Sequence, residues 1–376
     1  MVPAVPARPI RVFDADVHLH ELDADLAPYF DQPWRRVLED AAKVTAAEGA
    51  RTPRGERLLD VPGYSPLTVY DPILGEFPAD EPRRLTSAEL LRADLDEREV
   101  DAALVFPGRL LRAATSNDWD YLSALGRAYN QCLAERWVDP ARGLYAAIMT
   151  CNQLPEEAAA EIERYAAVPG FAAVYLPTAG NTPLWGDRSY EPIFAAAEAA
   201  GLPVVLQGTL TVHTVFPYEL HHLPTALAKQ TLSQPFGAMA NLVSLVTNGV
   251  LARHPALKIV FNDAGLAWLP AIAERLDHFY PYLRDEVPFL TARPSESIRR
   301  QVYLTTHPLG GLVDERFLTA CIDAVGVDRV VFGSDAPHFD QTSLEQVQSL
   351  PLSTENKQRI LVENARGLFH LESDNR

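Results

Sequence analysis

FAAVYLPTAGNTPLWGDRSYEPIFAAAEAAGLPVVLQG, residues 171–208, contains the unit from which the fold is read. A short apolar run at 171–177 gives way to an amphipathic stretch at 191–201, and then to a second apolar run at 202–208. Runs that are apolar on both faces and alternate with helices belong to a parallel sheet covered by helices. Comparable β-rich runs lie outward from this unit, at 11–18, 100–107, 142–150, 256–263, 301–306 and 328–335, with amphipathic stretches such as 120–138 and 156–168 between them. Eight strands in this alternation predict a closed (β/α)8 TIM barrel in preference to an open, doubly wound sheet. Residues 1–376 therefore read as one domain.

The first unit departs from the pattern. A Pro- and aromatic-rich segment, 21–86, separates strand 1 from its helix near Ser87–Glu99, and so long an insertion after strand 1 reads either as a lid or as packed decoration. A second excursion, 209–231, follows strand 5 and carries His213, His221 and His222. Both are expected at the C-terminal rim, where barrels of this kind build their sites.

Composition narrows the class of function. With 33 Lys+Arg against 50 Asp+Glu the net charge is −17, and no Lys/Arg cluster is large enough to track a phosphate backbone, so nucleic acid is excluded as a partner. No apolar stretch approaches the roughly 20 residues that span a bilayer, and the opening MVPAVPARPI lacks the apolar core of a signal peptide. The expectation is a cytoplasmic protein with no membrane contact. Cys132, Cys151 and Cys321 lack metal or redox spacing and read as buried small side chains.

The chemistry is expected at strand ends. In Asp16-Val17-His18-Leu19-His20, where strand 1 ends, residues i and i+2 share a face, so His18 and His20 are expected to project together from the mouth as metal ligands. Strand 8 ends in Gly333-Ser334-Asp335, followed by Pro337-His338. Strands 1 and 8 are neighbours in a closed barrel, so Asp335 is expected beside the two histidines, with His338 hydrogen-bonded behind it. Asp16 and Asp263 also stand at strand ends around this small site.

Four separated motifs carry a resemblance. The HxH pair, the segment GVLARHPALKIVFNDAGLAWLP (249–270), the strand-8 GSDAPH (333–338) and the closing ENARGLFHL (363–371) resemble the amidohydrolase-related family (amidohydrolase 2) of aminocarboxymuconate-semialdehyde decarboxylase, within the metal-dependent hydrolase superfamily. The resemblance implies the same barrel, a divalent metal (Zn or Mn), a homodimer, and hydrolysis or non-oxidative decarboxylation of a small organic acid or amide. It implies that His18 and His20 are ligands, that Asp335 is a ligand and proton acceptor, and that Asp263 is the strand-6 catalytic position. The family's strand-5 metal histidine falls on Gln207. An amide oxygen is a neutral ligand better suited to a hard ion such as Mn²⁺ than to Zn²⁺.

His307, at the end of strand 7, and His213 are the residues expected to complete a ligand shell or to act as acid or base. The Gln207 replacement also leaves open a metal-independent acid/base enzyme (cyclase, isomerase or lyase) on the same barrel, and a non-catalytic ligand-binding barrel ranks last. Phe30, Trp34, Tyr64, Tyr70, Phe216 and Tyr218 in the two excursions point to a partly aromatic or apolar small-molecule substrate.

Overall fold

The structure is a computed structural model that describes residues 10–21, 23–37, 85–108, 110–111, 118–179, 181–208, 225–309, 315–338 and 340–371. Most of the 21–86 insertion and the excursion carrying His213, His221, His222, Phe216 and Tyr218 lie outside the described residues. Eight strands run β1 (Phe13–His18), β2 (Ala102–Phe106), β3 (Leu144–Met149), β4 (Phe171–Pro177), β5 (Val204–Gln207), β6 (Ile259–Phe261), β7 (Val302–Thr305) and β8 (Val330–Val331). They form one sheet in sequence order, each pair parallel.

Closure is made by the chain leaving β8. Ala15 N–H donates to Phe332 O, Asp335 N–H to Asp16 O, and His18 N–H to Ala336 O, at 2.8, 2.9 and 2.7 Å. The (β/α)8 architecture thus follows the β-branched runs at every position. Their side chains are buried on both faces, as sheets covered by helices require.

The helices between strands begin and end by local chemistry. Ser87 caps the helix Ala88–Glu97 by accepting from Leu90 N–H, and Asp118 caps Trp119–Arg136 through Tyr121 N–H. Pro155 with Glu156 and Glu157 opens the helix Pro155–Ala166. Gly201, at φ 69°, ends Glu191–Ala200 in the left-handed conformation that a Cβ disfavours. Within the described part of the insertion, Phe30 is buried and stacks on Tyr121, and Trp34 meets the same ring edge-on. These two aromatics pack on the helix Trp119–Arg136.

Candidate active site

The C-terminal ends of β1, β5, β6, β7 and β8 deliver five of the expected side chains to one place. His18 closes β1, fully buried. Its Nδ1 lies 2.6 Å from Pro107 O, so this nitrogen carries the proton and donates, and Nε2 faces the barrel mouth. Around Nε2 stand Asp335 Oδ1 at 3.1 Å, Asp16 Oδ1 at 3.4 Å and Gln207 Nε2 at 3.3 Å. His20 lies two residues past the end of β1, half-buried, and belongs to neither of the two His/Asp groups in which ligand atoms converge. The side chain that shares the inner face with His18 is Asp16.

Asp335 is the hub. One carboxylate oxygen meets His18 and His338 Nδ1, the latter at 2.9 Å, and the other lies 3.4 Å from His307 Nε2. His307 Nδ1 is held 3.2 Å from Thr342 Oγ1, and its Nε2 also lies 3.4 Å from Asp263 Oδ1. Two groups result, sharing Asp335: His18, Asp335 and His338, and Asp263, His307 and Asp335, each with ligand atoms within 4.8 Å of one another. Both groups are placed to hold a divalent metal ion.

Asp263 and Asp335 have φ values of 58° and 62°. L-residues enter this region at a cost that Asp tolerates better than most, and such conformations gather at functional sites. Room is made by glycine. A Cβ on Gly333 would stand 2.8 Å from Thr305 Cβ and 3.0 Å from Asp16 Cβ, and one on Gly208 would stand 2.5 Å from Asp263 Oδ2.

Burial and neighbouring charge set the proton affinities. Burial raises the Asp16 pKa, against an opposing hydrogen bond from His18. At Asp335 burial pushes the same way but loses to the charges and hydrogen bonds of His338 and His18, which hold it well below the usual carboxylate range. Burial would lower the His18 pKa, yet its contacts with Asp16 and Asp335 raise it well above the ordinary value. His307 is raised to about 9, its bond to Asp263 and the charge of Asp335 overcoming burial. Burial, aided by the charge of Asp335, lifts Asp263 to about 6 against the hydrogen bond of His307.

Gln207 is oriented by Asn262, whose Nδ2 donates to Gln207 Oε1 at 2.8 Å; the amide nitrogen is therefore the end turned to His18. Asp16 has both carboxylate oxygens buried, and beyond the 3.4 Å approach of His18 Nε2 to Oδ1 neither has a hydrogen-bond partner. Beside the site, a cleft at the β3 and β4 side of the mouth is lined by Leu110, Leu122, Met149, Thr150, Asn152 and Tyr175. Phe106 lies between the two, its ring 6.3 Å from Tyr175 and 6.1 Å from His18.

A parallel eight-stranded barrel with imidazoles and carboxylates gathered at its C-terminal mouth defines a class, the barrel enzymes that bind a cation at the strand ends. The particular family follows from sequence: the amidohydrolase family profile matches residues 15–371, and the chain belongs to that family of enzymes. Solved structures share the fold. An amidohydrolase from Mycobacterium avium subsp. paratuberculosis is similar with a TM-score of 0.73 at 21% identity, over 96% of this chain and 100% of the other. A 5-carboxyvanillate decarboxylase from Sphingomonas paucimobilis gives 0.65 at 21% identity, over 96% and 100%. A dihydroxybenzoic acid decarboxylase from Polaromonas, with bound manganese and 2-nitroresorcinol, gives 0.64 at 18% identity, over 96% and 97%. Among the described residues, no helix is long and apolar enough to cross a membrane.

Proposed function

We propose that this protein is a divalent-metal-dependent carboxy-lyase that removes CO₂ from a small unsaturated or aromatic acid. The observation that carries the metal is Asp16, a fully buried carboxylate met by no donor closer than His18 Nε2, which lies 3.4 Å from Oδ1. An isolated buried charge is costly, and a cation beside it removes that cost. Asp335 and the lone pair of His18 Nε2 belong to one converging group, and Asp16, outside that group but 3.4 Å from His18 Nε2, would add a second hard oxygen, a set suited to Mn²⁺, the ion found in the Polaromonas decarboxylase. When bound, the ion supplies positive charge that anchors the substrate carboxylate or an adjacent hydroxyl.

The remaining steps fall to the chain. His307 and Asp263 stand on the far side of Asp335, and the raised pKa of Asp263 keeps a carboxylic acid available near neutral pH. The bond between the carboxyl group and its carbon breaks, CO₂ departs, and the electron pair stays on that carbon. The Asp263 proton is then added there, so one proton is consumed for each CO₂ released. His307 holds the Asp263 carboxylate that remains, and solvent restores its proton. Decarboxylases of 5-carboxyvanillate and dihydroxybenzoate among the structural relatives support that substrate class.

One observation favours a second reading. Gln207 presents its nitrogen to His18 while Asn262 occupies its oxygen, an arrangement that suits a metal-free acid/base site. Elemental analysis of protein purified without chelator, combined with CO₂ release from a panel of hydroxybenzoates with and without Mn²⁺, separates the two. The expected result is turnover that a chelator abolishes and Mn²⁺ restores. Turnover indifferent to chelator in metal-free protein would establish the acid/base reading instead.

A further inference from the structure

Behind the site lies a buried ion pair that the mechanism above does not use. Asp14, on β1 two residues before Asp16, is completely buried and accepts four hydrogen bonds. They come from Asp16 N–H at 3.2 Å, Ser334 N–H at 2.9 Å, Ser334 Oγ–H at 2.6 Å and Arg98 Nη1 at 2.9 Å. One carboxylate therefore holds the backbone of one candidate ligand, Asp16, and the residue adjoining another, Asp335. Ser334 Oγ extends the clamp by accepting from Ala336 N–H at 3.0 Å, on the other side of Asp335. The pairing of β1 with β2 shifts register between Asp14 and Val17, within the same stretch.

Arg98 completes the assembly from outside the barrel. It is the C-cap of the helix Ala88–Glu97, tied by Nε to Asp94 Oδ2 at 2.7 Å, and its Nη1 reaches both Asp14 Oδ2 and Ser334 Oγ, the latter at 3.2 Å. We infer that Arg98, acting through Asp14 and Ser334, is a positioning residue that holds Asp335, and the backbone of Asp16 beside it, where a divalent cation would be bound; the inference rests on the metal-dependent reading of the site. The alternative that Arg98 acts by charge at a distance is weak. The Arg98–Asp14 pair carries no net charge, so it reaches the site through its hydrogen bonds. What Arg98 supplies is one of the four hydrogen bonds on Asp14 and a direct bond to Ser334 Oγ, and with them the hold on residues 334–336.

The test uses the full chain as wild type, Arg98→Met, Arg98→Lys, Ser334→Ala and Arg92→Met. Arg92, on the same helix, bonds to the carbonyls of Val100, Asp101 and Arg142 without touching Asp14 or Ser334, and so reports packing alone. Two readouts are taken: the Mn²⁺ dissociation constant, from the electron paramagnetic resonance signal of free Mn²⁺, and the ¹⁵N shifts of the His18 and His338 imidazoles in metal-free protein. The shifts are assigned by their disappearance in His18→Gln and His338→Gln.

The expected result is Mn²⁺ binding weakened about tenfold to a hundredfold in Arg98→Met, partly recovered in Arg98→Lys, weakened several-fold in Ser334→Ala and unchanged in Arg92→Met. The imidazole signals move in Arg98→Met and stay in Arg92→Met. If Arg98→Met does not fold, Ser334→Ala decides, and an affinity within twofold of wild type overturns the inference. If the wild type binds no Mn²⁺, the metal-dependent reading fails separately. The imidazole signals then decide alone: unmoved signals in Arg98→Met overturn the positioning role, and shifted signals uphold it.

Discussion

The two halves of the mouth use the same side-chain types to opposite ends. On the β8/β1 half, Asp16, His18 and Asp335 are buried, their backbones are locked to each other by hydrogen bonds across the barrel closure, and Asp335 is held ionised. On the β6/β7 half, Asp263 keeps some solvent contact, its side chain 18% exposed, and its pKa is lifted to about 6. The difference is one of partners. Asp335 is met by three imidazoles, Asp263 by one, and the charge of Asp335 itself works against ionisation of Asp263. A carboxylate rich in partners holds a cation, whereas one poor in partners exchanges a proton.

Substitutions that break one half and spare the other test this division. Asp335→Asn is expected to have the largest effect, because it removes the group the two halves share. Bound Mn²⁺ should be lost on dialysis and turnover should fall by about 10³-fold or more. Asp263→Asn should leave Mn²⁺ content intact and lower turnover by about 10²- to 10⁴-fold, with kcat falling more than KM rises. Loss of metal in this variant would show that the halves are one unit.

His307 gives a smaller effect, measured in stability. Its pKa of about 9 in the folded protein lies above the ordinary value of 6.5, so the stabilisation is fully present below pH 6.5 and is lost as pH rises through about 9. Denaturant unfolding of metal-free protein should lose on the order of 2–3 kcal/mol of stability between pH 6.5 and 9.5 through this group. His307→Gln should flatten that part of the profile. A slope that survives the substitution would assign it to another residue.

The barrel was legible because burial on both faces leaves an unmistakable trace: β4 reads FAAVYLP and every residue in it is buried. The shortest strand is β8, two residues long, and the backbone bonds that close the barrel continue past it through Phe332, Asp335 and Ala336. Within the site, the i, i+2 rule correctly seeks a same-face pair, but it cannot say where a strand stops. In DVHLH the rule pairs His18 with His20, whereas the strand ends at His18, two residues before His20, and its i−2 residue within the strand is Asp16. The Arg98–Asp14–Ser334 clamp left no trace at all, since its members lie 84, 236 and 320 positions apart and only folding makes them neighbours.

Gln207 provides the smallest test and the one that sharpens the cation half most directly. In Gln207→His the strand-5 position regains an imidazole where the amide nitrogen now stands 3.3 Å from His18 Nε2. The substitution removes the acceptor of Asn262 Nδ2, but that donor keeps a second partner, Ala15 O, at 3.3 Å, so the expected loss of stability is about 1 kcal/mol. A second imidazole beside Asp16, His18 and Asp335 should tighten Zn²⁺ more than Mn²⁺, because nitrogen donors favour the later ion. Competition titration with a chromogenic chelator should show Zn²⁺ affinity rising by about tenfold while Mn²⁺ changes by less. Equal gains for both ions would mean that the new side chain supplies only general polarity, and that the oxygen-rich set at β1 and β8 does not select the metal.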